Sequence, residues 1–365
     1  MSAPRDLAGI VSLADFEPLA RLAMEPGAYD YVAGGGWDEL TLADNVAAWR
    51  RQRLRPRVLV DVSVIDTATT MLGVPVAMPV AIAPMATQIL AHPEAESAMA
   101  RGAASAGIPM ILSTTASQSI ETVAAAAPDA TRWFQLYIQS DLGVSRSLVE
   151  RAAAAGFGAI VLTVDLPVLG YRVRDRRSRF DLPPLGNFEE TAPTHGSHGG
   201  DWLAALTDHL KTTLTWDDIA RIRSWSSLPL ILKGILTVED AHLAVEHGAD
   251  AIVVSNHGAR QLDRVAASVD VLAEIADATA GRTEIWVDGG VRSGLDILIA
   301  RALGARGVLL GRSAYWALAV GGTPGVERAL EILHEELTRA MALLGTPTPD
   351  DITRAHVVAP RSADR

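Results

Sequence analysis

The 365-residue chain has no cysteine, which excludes disulfides, thiolate metal sites and a cysteine nucleophile. Positive charge is in short supply. With 32 Lys and Arg against 43 Asp and Glu, the net charge is -11, the wrong sign for a nucleic-acid partner, whose phosphates need a basic face. No run of about eighteen apolar residues occurs, so no spanning helix and no stable membrane association are expected. The opening MSAPRDLAGIVSLADFEPLA carries acids and lacks the uninterrupted apolar core of a signal peptide, so the cytoplasm is the expected location. No G-x-G-x-x-G follows a first strand, which argues against a dinucleotide on a Rossmann unit.

What the chain does have is apolar mass. At 49% apolar and 21% charged it can bury a large core, and its length allows one large domain or two ordinary ones. The basic cluster RVRDRRSR (172–179) is a local exception to the acidic balance and reads as a solvated loop for most of its arginines. Short β-rich apolar runs recur: PVAIA (79–83), MILST (110–114), WFQLY (133–137), AIVLTV (159–164), PLILK (229–233), AIVVS (251–255), EIWVD (284–288) and GVLLG (307–311). Most segments between them carry helix signals. Pro93 stands at one start, and Ser117 or Ser119 caps another with Glu121 in the first turn but no true capping box. SDLGVSRSLVERAAAAG, TVEDAHLAVEHG and SGLDILIARALG open on a capping residue and close on glycine.

Continuous apolar strands alternating with helices predict a parallel sheet covered on both faces. Eight units in series predict an α/β fold closed as a (β/α)8 TIM barrel rather than an open sheet. The chain then reads as one domain: a helical N-terminal extension over 1–75 with a Gly-rich break at AGGGW (33–37), a barrel over 76–345, and a tail over 346–365 that frays after about 355. The stretch 172–213 after the fourth strand, rich in Pro, Gly, Ser and His, predicts a long lid, binding or disordered loop.

Barrel enzymes place their chemistry at the C-terminal ends of the strands. In VVSNHGARQLD (253–263) a core strand ends abruptly in Asn256, His257, Arg260, Gln261 and Asp263. Other runs end in the same way, in Gln135 and Tyr137, Thr163 and Asp165, Lys233, Asp288-Gly289-Gly290, and Gly311-Arg312. The last two, within VDGGVRSG and LLGRS, sit where barrels commonly bind a phosphate. Glycine-freed N–H groups can cradle the anion, and Arg292 or Arg312 can clamp it. A flavin mononucleotide suits that cradle: Gln135, Thr163 and Ser113 could bond the polar edge of its ring, and Lys233 could set positive charge beside it. A competing reading makes Lys233 a Schiff-base nucleophile.

SNHGARQLD, TVDLPVLGYRVRD, WFQLYIQ, IAPMATQILAHPEAE, ILKGI and WVDGGVRSGLDILIARALGA together closely resemble the FMN-dependent 2-hydroxy-acid oxidase and dehydrogenase family, from about Tyr29 to Gly311. The resemblance implies FMN as cofactor, a homotetramer, and a role for each matching position. His257 is implied as general base and Asp165 as the carboxylate that orients it. Arg172 and Arg260 are implied as clamps on the substrate carboxylate, and Tyr31 and Tyr137 as hydroxyls bonding the substrate. The flavin is implied to contact Pro84, Met85, Ala86, Ser113, Gln135, Thr163, Lys233 and Ser255. Its phosphate would meet Asp288, Gly289, Gly290, Val291 and Arg292, and Gly311 with Arg312. The other histidines read as bystanders: His195 and His198 have only loose metal-like spacing, no metal is expected, and His242 and His247 read as helix-surface groups.

Two departures bear on the substrate. Small-acid oxidases of this family often carry a bulky aromatic where this chain has Thr115, and glycolate oxidases carry a second tyrosine where it has Val32. Both widen the pocket towards mandelate or 4-hydroxymandelate. The alternative is a small acid such as lactate or glycolate. Ala86, where monooxygenase relatives carry glycine, points to O2 as acceptor with H2O2 released. A soluble quinone-linked dehydrogenase is the second choice.

Overall fold

The chain begins its sheet structure with an antiparallel hairpin, β1 (Thr69–Met71) and β2 (Val74–Val76), inside the segment expected to be helical. In a computed structural model, which describes residues 7–178, 180, 182–188 and 209–358, the eight apolar runs follow as strands. They are β3 (Val80–Met85), β4 (Met110–Leu112), β5 (Arg132–Leu136), β6 (Ile160–Thr163), β7 (Leu230–Ile235), β8 (Ala251–Val254), β9 (Glu284–Val287) and β10 (Gly307–Leu310). Each pairs in parallel with the next, and β10 pairs with β3 through Val308–Val80 to Leu310–Ile82, closing the barrel.

Both faces of these strands are buried, which is why they read as unbroken apolar runs. Val80 and Ile82 of β3 face the surrounding helices while Ala81 and Ala83 face inwards, and Val161 of β6 faces inwards between Ile160 and Leu162. Small inward residues such as Ala81, Ala159 and Ala251 leave room for Trp133 and Trp286. Those two indoles stack with centroids 4.9 Å apart and planes 7° from parallel. Met71 and Val76 belong to the same inner cluster, so the hairpin closes the N-terminal floor of the barrel.

The extension supplies α1 (Phe16–Ala23), α2 (Pro26–Ala33) and α3 (Leu40–Arg51). Around the barrel lie α4 (Ala95–Ser105), α5 (Ile120–Ala126), α6 (Leu142–Ala154), α7 (Val173–Ser178), α8 (Asp218–Arg223), α9 (Val238–Glu246), α10 (Ser268–Thr279), α11 (Gly294–Ala302) and α12 (Arg312–Leu344), the last bent at Gly321–Gly322. Capping decides several starts. Ser119, not Ser117, caps α5; Asp141 caps α6, Thr237 caps α9, and Ser293 with Asp296 forms a capping box on α11. Ser117 instead spends its hydroxyl on buried Glu96. The tail stays paired past 355: Arg55 N–H donates to the His356 carbonyl and Val358 N–H to that of Arg53, both at 2.8 Å. The expected fraying is therefore corrected as far as Val358, because the tail finds backbone partners on the extension.

For the site, the important element is α3. Its first N–H groups, on Leu40 and Thr41, donate to the Asp263 carboxylate at 3.3 and 2.8 Å. Trp49 Nε1 donates to the Gly289 carbonyl at 2.7 Å, and Asn45 bonds Asn256. The extension thus braces the rim of the barrel where β8 and β9 end.

Candidate active site

Beyond β8 the backbone does something costly. His257, Gly258 and Ala259 take φ values of 59°, 61° and 62°, a left-handed run that a histidine and an alanine adopt only when held. Three contacts hold it. His257 N–H donates to Ser255 Oγ at 3.0 Å, Ala259 N–H to Asn256 Oδ1 at 3.1 Å, and Gly36 N–H to the Ala259 carbonyl at 2.8 Å. The turn brings His257 Nδ1 to 2.9 Å from Asp165 Oδ1, beyond the end of β6, and its Nε2 to 3.4 Å from the Tyr137 hydroxyl, beyond β5. Gln261 fixes the Asp165 segment by donating to the Asp165 and Val168 carbonyls at 3.0 and 2.8 Å.

Burial pushes the His257 imidazole below its ordinary pKa, against the pull of Asp165, so at neutral pH it is a free base. Burial works to raise the Asp165 carboxyl, but His257 and Lys233 outweigh it and keep it below the usual carboxylate range. Burial, reinforced by Asp165, raises the Tyr137 phenol, which stays protonated.

Arg172 and Arg260 meet on the same cavity. Arg172 Nε donates to the Arg260 carbonyl at 3.1 Å. Arg260 Nη1 donates to the carbonyl of Tyr31 at 2.6 Å and that of Gly34 at 3.2 Å, with its guanidinium 4.9 Å from the centre of the Tyr31 ring. Burial, then repulsion from Arg260, pulls Arg172 down to about 10, still a cation at neutral pH. The basic cluster is helical rather than a loop, since Val173–Ser178 form α7; Arg172 and Asp175 are buried while Arg176 and Arg177 are exposed, and residues 189–208 of the expected long loop lie outside the described residues.

The cavity continues from these arginines to the ends of β9 and β10. Pro84, Met85, Ala86, Ser113, Thr163, Lys233, Asp288, Gly289, Gly290, Val291, Arg292, Gly311 and Arg312 all line it. Gln135 and Ser255 stand behind that wall. Ser255 is fully buried, with its hydroxyl accepting from Lys233 Nζ at 2.9 Å and from the His257 N–H. Lys233 also pairs with Asp288 at 2.9 Å. Burial alone would lower its pKa, but Asp288 and Asp165 outweigh burial and raise it. The ammonium stays charged, the wrong state for an amine nucleophile, so the Schiff-base reading of Lys233 loses its ground.

This donor set fits a flavin mononucleotide. Gln135 Nε2, Thr163 Oγ1 and Asp288 Oδ1 are buried polar atoms with no hydrogen-bond partner among the described residues, the signature of groups awaiting a polar ligand. Gly289 and Gly290, at φ 88° and 86°, turn the chain after β9, and a Cβ on Gly311 would meet nothing nearer than 4.0 Å. Two expected phosphate groups are differently engaged. Asp288 is committed to Lys233, and Arg312 donates to the carbonyls of Val32, Gly258 and Gly34, each at 2.9 Å. Arg292 bonds one main-chain carbonyl, that of Val291 at 2.9 Å, which leaves it the guanidinium best able to meet a phosphate.

Asn45, Trp49 and Asp175 went unmarked in the sequence, and Asn256, Gln261 and Asp263 were noticed there without a role. On the outer wall, Thr115 and Val32 line the cavity together with Leu166, Leu169, Phe188 and Leu210. Thr115 Oγ1 lies 3.0 Å from Ser113 Oγ. His242 is partly buried on α9, and His247, just past its end, stacks on Trp216 at 5.5 Å. His195 and His198 lie outside the described residues. Among those described, no group of three or more His, Asp or Glu could hold a metal, and no helix is long and apolar enough to cross a membrane.

A closed eight-stranded barrel with a glycine cradle, a buried lysine and a His–Asp pair on one rim defines a flavin-dependent barrel oxidoreductase. Residues 20–359 match the FMN-dependent dehydrogenase family; the chain belongs to that family, and FMN is its cofactor. Among its relatives, L-lactate oxidase of Nostoc sp. is 49% identical over 351 residues, 94% of this chain and 96% of the relative. Glycolate oxidase 1 of Oryza sativa subsp. indica is 45% identical over 361 residues, 98% and 97% of the two chains. A crystal structure of mandelate oxidase with (S)-4-hydroxymandelic acid superposes with a TM-score of 0.90 at 42% identity, covering 95% of this chain and 98% of that one.

Proposed function

We propose that the protein oxidises an (S)-2-hydroxy acid with an aryl group, mandelate or 4-hydroxymandelate, to the 2-oxo acid and passes the two electrons to O2, giving H2O2. FMN, when bound, supplies the two-electron acceptor. Gln135, Thr163 and Lys233 would hold its ring and Gly289, Gly290 and Arg292 its phosphate. The observation carrying the reading is that a neutral His257, backed by Asp165 at 2.9 Å, shares one cavity with the cations Arg172 and Arg260.

The arginines anchor the substrate carboxylate, since a planar guanidinium offers two parallel donors to its two oxygens, with Tyr31 beside them. Anchoring fixes the hydroxyl-bearing carbon relative to the base, which supplies orientation. His257 Nε2 then takes the proton, while Asp165 accepts from Nδ1 and favours the imidazolium as it forms. Tyr137, kept protonated and with its hydroxyl 3.4 Å from Nε2, donates to the substrate beside the base.

Thr115 and Val32 support the aryl class, because neither fills the wall where a bulky side chain would stand. A small acid is the second reading, supported by the likeness to lactate and glycolate oxidases. The same reading includes a cytoplasmic homotetramer, which light scattering of the purified protein checks.

The test is anaerobic addition of (S)-mandelate, then of L-lactate, to the yellow holoprotein. Bleaching by mandelate, followed by rapid recovery with peroxide on admitting oxygen, supports the full reading. Bleaching by lactate in preference selects the small acid, and slow recovery without peroxide selects a quinone-type acceptor. A flavin band that no hydroxy acid bleaches would sink the proposal.

A further inference from the structure

Guanidinium groups that share a cavity repel each other, and here the buried Arg172 stands beside the partly buried Arg260. Burial and the charge of Arg260 both act against the cation on Arg172. Asp175, three residues further along in α7, places Oδ2 3.7 Å from Arg172 Nη1, with the two side chains only 5% and 2% exposed. That separation is too long for a hydrogen bond, and neither Asp175 carboxylate oxygen has a hydrogen-bond partner among the described residues. Nor does the carboxylate cap the helix: Ser178 takes the Asp175 main-chain carbonyl instead. A buried carboxylate without hydrogen bonds is costly unless opposite charge compensates it. Burial, with Asp30 of α2 adding to it, raises the Asp175 carboxyl above its ordinary range, and the charges of Arg260 and Arg172 act the other way to favour the carboxylate.

We propose that Asp175 fixes the charge class of the substrate. Its one negative charge, set against Arg172 and Arg260, lowers the positive charge that meets the substrate, so monoacids are favoured over diacids. The inference rests on the reading of Arg172 and Arg260 as the carboxylate anchor. Asp175 acts through those arginines and is a positioning residue. A merely structural role would weaken every anion alike when Asp175 is changed; charge matching alters the ratio between a monoanion and a dianion.

The test is a titration of the holoprotein with acetate and with malonate, at a pH where malonate is doubly charged. Neither carries a hydroxyl to oxidise, and binding is read as a shift of the flavin absorbance band. In the unaltered protein malonate binds no more tightly than acetate. In Asp175→Asn, malonate gains about tenfold on acetate, while Asp175→Glu restores the original ratio. An unchanged ratio in an Asp175→Asn protein with normal flavin content overturns the proposal. Should that variant fail to fold, malonate binding about tenfold more tightly than acetate in the unaltered protein overturns it as well. Acetate binding that survives Arg172→Met identifies a different failure, that of the carboxylate anchor itself, and removes the proposal with it.

Discussion

Asn45 and Asn256 exchange both of their side-chain amide hydrogen bonds, Asn45 Nδ2 to Asn256 Oδ1 at 2.9 Å and Asn256 Nδ2 to Asn45 Oδ1 at 2.7 Å. The pair is buried and ties α3 to the left-handed turn that carries His257. Asn45→Ala leaves one Nδ2–H of Asn256 unmet, while its bonds with the Ala266 carbonyl and the Ala259 N–H remain, a cost of about 1–3 kcal/mol. The expected outcome is a lower denaturant midpoint together with a fall in kcat, as the turn relaxes and His257 loses its aim. A stability loss with kcat unchanged would show that the turn holds itself.

With His257 as the proposed base, the acid limb of activity is expected to follow its titration. Its pKa lies below the ordinary 6.5, chiefly through burial, and the base must be unprotonated to work. A lowered pKa moves the limb down, so kcat/KM stays flat through neutrality and falls only below about 6.5. Asp165→Asn removes a contribution that raises the pKa, so the limb moves lower still while the plateau drops. His257→Ala costs about 10²–10⁴ in kcat/KM with the protein still yellow. Rate profiles across pH check all three.

Thr115→Trp tests the width of the cavity. A bulky ring on that wall fills the space proposed for an aryl group, so kcat/KM for mandelate should fall relative to lactate by about tenfold or more. An unchanged ratio places the aryl group elsewhere.

Gly290 tests the cradle. At φ 86° a side chain is strained by about 1–2 kcal/mol, and a Cβ there would also run into the Asn45 carbonyl of α3. Gly281, at φ 73° with nothing within 4 Å of its Cβ position, carries the backbone strain alone. Gly290→Ala should therefore weaken FMN retention and stability, while Gly281→Ala loses only a little stability. Equal losses would mean that the contact with α3 does not matter.

The barrel was legible because strands buried on both faces leave no polar alternation, and their polar ends mark the rim. The His257 turn was legible for a related reason, since apolar strands seldom end in so many polar groups. The β1–β2 hairpin escaped because TTMLGVPV is three residues a side, too short for any period to show. Asn45 escaped because its partner lies 211 residues away and nothing local on α3 marks it. Asp175 was hidden inside a run read as solvated for most of its arginines, although two positions three apart on a helix can face inwards while their neighbours face out.

Trp133 and Trp286 stop the bottom of the barrel, with Met71 of the hairpin beneath them, all essentially without solvent contact. The enclosure is therefore a well rather than a tunnel. Whatever comes in must go back out past the same rim, and a product still on its way up stands in the path of the next molecule coming down. Turnover in such a vessel is governed by traffic at the doorway as well as by events at the bottom.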